Sequence, residues 1–180
     1  MASETLLQNM NGWLREEFFQ NNIYSDGSVP PFLIADLGKD PQGRNRFLRV
    51  LPLYQEALGI LQKAPNELGP LVSLDFSSEL PFLCKPEAAK DLASLLFFIN
   101  KEIQLSGFSF DEAEGKILFR HINYCPEKGI DHRLTIGITG LILLYMDLYS
   151  QAIEEIASGK KTFNEAMEEL VHAAKQVLKQ

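Results

Sequence analysis

The chain has 180 residues, 46% of them apolar and 23% charged, which suits one globular domain with a core large enough to need no staple. Its formal net charge is −7, from 17 basic and 24 acidic residues, which disfavours a nucleic-acid polyanion as partner. The acidic residues are scattered, so the charge singles out no cationic ligand.

Residues Met1 to Thr5 carry no basic stretch, and Arg15 to Glu17 break the apolar pattern behind them, so no secretory leader is expected. The longest apolar run, Leu141 to Met146, is too short to span a bilayer. The expectation is a cytoplasmic protein without a membrane segment, with Cys84 and Cys125 as free thiols in a reducing compartment.

In chain order, Leu6, Leu7, Met10, Trp13, Leu14 and Phe18 recur at helical spacing and predict a helix from about Glu4 to Phe19. Asn21-Asn22 and Ser25 to Ser28 read as the loop that ends it. Phe32 to Leu37 reads as a strand, Gly38 to Gly43 as a turn and Arg46 to Leu51 as the returning strand. Pro52 lacks a backbone donor and places that end near an edge or a bulge. Residues 54 to 69 fit a short helix from Tyr54 or a long loop. Leu71 to Phe76 alternates as a third strand.

Pro86 suits the first turn of the next helix. Its core stripe is Ala88, Ala89, Leu92, Leu95, Leu96, Ile99 and Ile103, which leaves Phe97 on the solvent side near Lys90, Ser94 and Lys101. Phe108 and Phe110 then share one face of a hairpin that turns at Asp111 to Gly115. Asp131 is placed to cap a long helix. The core stripe expected there is Leu134, Ile138, Leu141, Tyr145, Leu148, Ala152 and Ile156, with Gly159 as the stop. Thr162 and Glu165 form a capping box for a last helix, whose stripe is Phe163, Ala166, Met167, Leu170, Ala174, Val177 and Leu178. The order of elements predicts a single α+β domain over residues 1–180, with an antiparallel sheet of about five strands flanked by helices and a two-helix C-terminal end.

Several short pieces carry a resemblance: Ser77 to Phe82, Ile99-Asn100, Gly107 to Phe110, Gly115 to His121, Met146 to Tyr149, Ala152-Ile153 and Thr162 to Ala166. In order and spacing, residues of about 68–170 resemble the YbjN-like family. The resemblance implies a type III secretion chaperone-like fold, a homodimer and regulatory or chaperone-like binding. It implies no catalytic residue and no cofactor.

The site candidates are few. His121 sits on a strand with no nucleophile or carboxylate at a telling spacing. Cys84, Cys125, His121 and His132 lack the paired short spacing of a structural zinc site. No nucleophile elbow, phosphate loop or dinucleotide motif occurs. Trp13, Phe18 and Phe19 read as core or subunit contacts, because Glu16 and Glu17 spoil a nucleic-acid stacking platform. What stands out is an interface signal. Gly137, Gly140 and Leu144 fall on one helix face away from the expected core stripe. A mid-helix glycine costs about 0.5–1 kcal/mol relative to alanine. Phe97 is the fourth candidate, since burying a phenylalanine is worth about 1.5–3 kcal/mol. The functional expectation is a non-enzymatic protein-binding module with a protein or peptide partner. The alternative is a small-molecule binder or unrecognised enzyme, its pocket between the sheet and the long helix near His121 and Tyr145.

Overall fold

The computed structural model describes residues 2–17, 19–25, 27, 30–53, 71–126, 128 and 130–177. The elements are α1 (Ala2–Glu16), β1 (Asn21–Tyr24), β2 (Phe32–Lys39), β3 (Asn45–Leu53), β4 (Leu71–Leu83), α2 (Ala89–Asn100, led by a 3-10 turn at Pro86–Ala88), β5 (Gly107–Asp111), β6 (Lys116–Pro126), α3 (His132–Ala157) and α4 (Phe163–Val177). The class is α+β, as the order of elements predicts. The sheet is antiparallel, in the order β1-β2-β3-β4-β6-β5.

It holds six strands rather than about five. The addition is β1, where a loop was expected. Asparagine is a poor strand former, and the segment offers only Ile23 and Tyr24 as apolar signal. It pairs because β2 presents a free edge: Asn21 faces Ala35, Tyr24 faces Phe32, and those two rings stack at 5.6 Å. The first helix accordingly stops at Glu16 rather than Phe19. The third expected strand runs on to Leu83, so Ser77 to Phe82 lie within a strand. Pro52 lies past the last β2–β3 pair, Leu33 with Val50, and faces only β4. The helix-or-loop question at residues 54 to 69 lies outside the described residues.

Strand alternation divides the sheet. Leu33, Ala35, Leu48, Val50, Leu74, Phe76, Ile117 and Phe119 point to one face and are buried there. The helices α1, α2 and α3 cover that face. Their buried residues include Leu7, Met10 and Leu14 from α1, Leu92 and Ile99 from α2, and Ile142, Met146 and Ile153 from α3. The stripe expected for α2, from Ala88 to Ile103, is buried throughout.

The stripe expected for α3 is only partly correct. Ile138, Tyr145 and Ile156 are buried, but Leu134 and Leu148 are 47% and 59% exposed. The helix is rotated so that Thr135, Ile142, Met146 and Ile153 face inward instead. No charged residue occurs between Leu134 and Met146, so more than one face reads as apolar. Thr135 and Thr139 can turn inward because each hydroxyl donates to the carbonyl four residues earlier, at 3.1 and 2.9 Å.

The helix ends are set by local chemistry. The Asp131 carboxylate accepts the backbone N–H of Arg133 and Leu134. Gly159, at φ 71°, ends α3 with its N–H on the Ile156 carbonyl and the Lys160 N–H on that of Glu155. Thr162 and Glu165 exchange hydrogen bonds as a capping box. In α4, Phe163, Ala166 and Met167 are half-buried, and the stripe's remaining side chains lie outside the described residues.

Candidate functional site

The helix α3 is packed into the core on one side and, among the described residues, largely exposed on the other. Its inner side is fixed by packing, and two cations from the β2–β3 hairpin hold the edge of its outer side. The buried Arg46 guanidinium meets Asp147 and also donates to the Lys39 carbonyl at 3.2 Å. Arg44 bonds both oxygens of Glu154 at 2.8 and 2.7 Å, and also Asp40 at 2.7 Å. Hydrogen bonds from Arg44 hold the Glu154 carboxyl below its usual range. Burial alone would raise Asp40, but the hydrogen bonds from Arg44 outweigh it and leave that carboxyl lowered.

The outer side of α3 carries Gly137, Gly140, Leu144 and Leu148, all exposed. A methyl group added to either glycine would meet no atom of the described chain within 4 Å beyond its own helix. Packing among the described residues therefore does not demand glycine at these positions. The same face carries Arg133 at one end and Asp147 at the other, with no charge between them. Its intervening residues are apolar or glycine, which leaves a smooth, shallow surface.

Phe97 is 74% exposed on α2, the helix packed beside α3. It stands on a different helix from the other three candidates. The neighbouring Phe98 is 39% exposed. Together with Leu148, Tyr149, Ala152, Ile156 and Ala166 it lines an apolar cleft of about 400 Å³ between α2, α3 and α4. Lys161 stands at that cleft, paired to Glu155 at 2.8 Å and Glu169 at 2.9 Å. Those two hydrogen bonds raise its pKa.

The alternative site expected between sheet and long helix is differently built. Tyr145 is buried and stacks on Phe119 and Tyr149, with its hydroxyl accepting the Gln104 N–H at 3.3 Å. His121 is half-buried, its Nδ1 3.1 Å from the Ser106 hydroxyl, and burial lowers its pKa. The cleft between α2, α3 and α4 is a separate feature, among the helices.

Cys84 and Cys125 are free and buried, and burial raises both thiol pKa values. The ring of His132 packs on Trp13 at 5.5 Å, whereas His121 packs near Phe76. Among the described residues, no three His, Cys, Asp or Glu side chains are grouped to hold a metal ion. Phe19 packs against the core, and the side chain of Phe18 lies outside the described residues.

Among the described residues, α3 is the one helix long and apolar enough to cross a membrane. Its inner residues, however, belong to the core of an open sheet, whose unpaired edges a bilayer would leave unsatisfied. Its inner side packs in the core, and its outer flank is exposed among the described residues.

No protein-family model matches the chain, and no curated protein matches it.

Of the face now in view, sequence reading found Gly137, Gly140 and Leu144, and missed Arg133, Asp147 and Leu148. The charge-free stretch between Arg133 and Asp147 was the available signal.

Proposed function

We propose that this chain is a non-enzymatic protein-binding module, chaperone-like or regulatory, that docks a protein partner on the outer face of α3. One observation carries the reading: two mid-helix glycines lie in an exposed, charge-free stretch where nothing in the described chain occupies the space beside them. Each glycine costs helix stability, and each lets a second backbone approach closely. Leu144 and Leu148 supply apolar area beside them. The buried, unpaired cysteines suit a reducing, cytoplasmic setting.

The test compares tagged wild-type chain with Leu144→Asp after gentle isolation from the source cells. Leu144 is 48% exposed, so the aspartate leaves the core intact, which circular dichroism checks. Proteins retained by the wild type, including untagged copies of the chain, are expected to be lost from the variant. An unchanged set of retained proteins would refute the reading.

A second reading rests on the cleft between α2, α3 and α4. Its volume of about 400 Å³ falls within the ~300–1,000 Å³ range of small-molecule sites, and its lining is mostly apolar. A thermal-shift screen of amphipathic metabolites tests it, since binding to the folded state raises Tm. A shift abolished by Ala152→Phe supports this reading. A screen without any shift removes it.

A further inference from the structure

We infer that a hollow on the sheet face opposite the core binds a small zwitterion with an apolar body, of which an aromatic or branched amino acid is the simplest case. Strand alternation turns Ile34, Arg49, Ser77, Glu79 and Leu118 to that face. Arg49 faces Ile34 on one side and Ser77 on the other, and Leu118 faces Glu79 across β4 and β6. Beyond Glu79 the β4–β6 register slips before Leu83, and Pro81, which has no N–H to give a ladder, sits in that irregularity. A hollow of about 440 Å³ opens there, lined by these residues together with Asn45, Phe47 and Leu80. Its volume suits a small molecule, and its mixture of apolar walls with few polar groups is that of a ligand site.

Two opposite charges stand in this hollow without ionic partners. Arg49 donates from Nε to the Ser77 hydroxyl at 3.3 Å, and among the described residues neither Arg49 nor Glu79 forms an ion pair. The neighbouring cations are engaged elsewhere: Arg120 holds Asp75 at 2.8 Å, and Lys116 holds Glu114 at 2.6 Å. A ligand with a carboxylate alone would meet Arg49 but also the Glu79 anion. A ligand with an amine alone would meet Glu79 but also the Arg49 cation. A molecule that carries both groups satisfies both, and the planar Arg49 fork can bind a carboxylate through two N–H groups. The exposed Phe47 ring, with Ile34 and Leu118, supplies surface for the apolar body. The hollow shares no lining residue with the cleft among the helices.

Isothermal titration of the full-length chain tests this with phenylalanine, leucine and two probes that each lack one charge, hydrocinnamate and phenethylamine. Phenylalanine is expected to bind at least about tenfold more tightly than either probe, since each probe forgoes a charge-assisted hydrogen bond. Arg49→Gln should weaken phenylalanine about ten- to a hundredfold and remove its advantage over phenethylamine. Glu79→Gln should remove its advantage over hydrocinnamate. Both side chains are exposed, so each variant should keep the wild-type Tm without ligand. Ala152→Phe, which fills the cleft among the helices, should bind phenylalanine like the wild type. No binding of either amino acid at millimolar concentration, equal affinity for phenylalanine and both probes, or binding kept in Arg49→Gln but lost in Ala152→Phe would overturn the inference.

Discussion

Asn100 and Gly107 show how a single side chain fixes a strand edge. The Asn100 amide donates to the Phe108 carbonyl at 2.8 Å and accepts the Phe108 N–H at 2.8 Å, so it mimics a strand partner for the start of β5. Gly107 lies directly beneath it at φ 108°, and a methyl group there would come within 2.3 Å of the Asn100 Oδ1. Gly107→Ala should therefore cost about 2–3 kcal/mol, from backbone strain and a lost clamp, read from the urea midpoint. The α3 glycines should behave in the opposite way. With open space beside them, Gly137→Ala and Gly140→Ala should each stabilise the dilute monomer by about 0.5–1 kcal/mol. Loss of stability in both would mean that the chain itself needs the space. Residue-scale chemistry was legible in the sequence where its partners are neighbours. The caps at Asp131, Gly159 and Thr162 act within a few residues of themselves. The Asn100 clamp spans a loop and a sharp change of direction, so spacing alone does not reveal it.

At the scale of elements, the β2–β3 hairpin is pinned to α3 through Arg44. Asp40 shapes the turn by accepting the N–H of Gln42 and Arg44, and Arg44 then reaches Glu154 more than a hundred residues away. The Arg44 guanidinium also lies 5.2 Å from the centre of the Phe82 ring. Both carboxyls titrate below their usual values when folded. A lowered folded pKa means that the stabilisation is complete above the unfolded value of about 4 and disappears as pH falls through the lower folded value. Glu154→Gln should therefore lower stability at pH 7 by about 1–2 kcal/mol, with the gap narrowing towards pH 3. Urea midpoints of both proteins at pH 7, 5 and 3 check this, and a gap that widens in acid would refute it. The α2 stripe was legible because polar residues mark its outer side. The α3 orientation was not, because apolar residues surround the helix and the inward threonines hide their polarity in their own backbone.

At the scale of the whole molecule, an open sheet is covered by helices on one face and the two thiols are buried, Cys84 to 8% and Cys125 to 6% exposure. Cys84 and Cys125 should react with a thiol reagent only as fast as the fold opens, at least about tenfold slower than in urea. Rapid labelling of the native protein would contradict the packing. The antiparallel class followed from hairpin-length connections, which the sequence displays. The order β4-β6-β5 did not. Either strand of the last hairpin could in principle join the sheet, and β6 takes the inner place because its eleven residues match the length of β4, whereas β5 has five. Such a length match concerns two distant segments and has no local signature. The same holds for the function. Two glycines on one helix face were readable, but only the three-dimensional packing shows that the described residues leave the space beside them open.

The claim on which the account rests is that another protein surface covers the outer face of α3. A photo-activated cross-linker placed at position 144 in the full-length chain, compared with one at the exposed hairpin residue Glu112, tests it in intact cells. The expected result is a discrete adduct at least one protein mass heavier from position 144 and none from position 112. Reaction with water alone at both positions would contradict it.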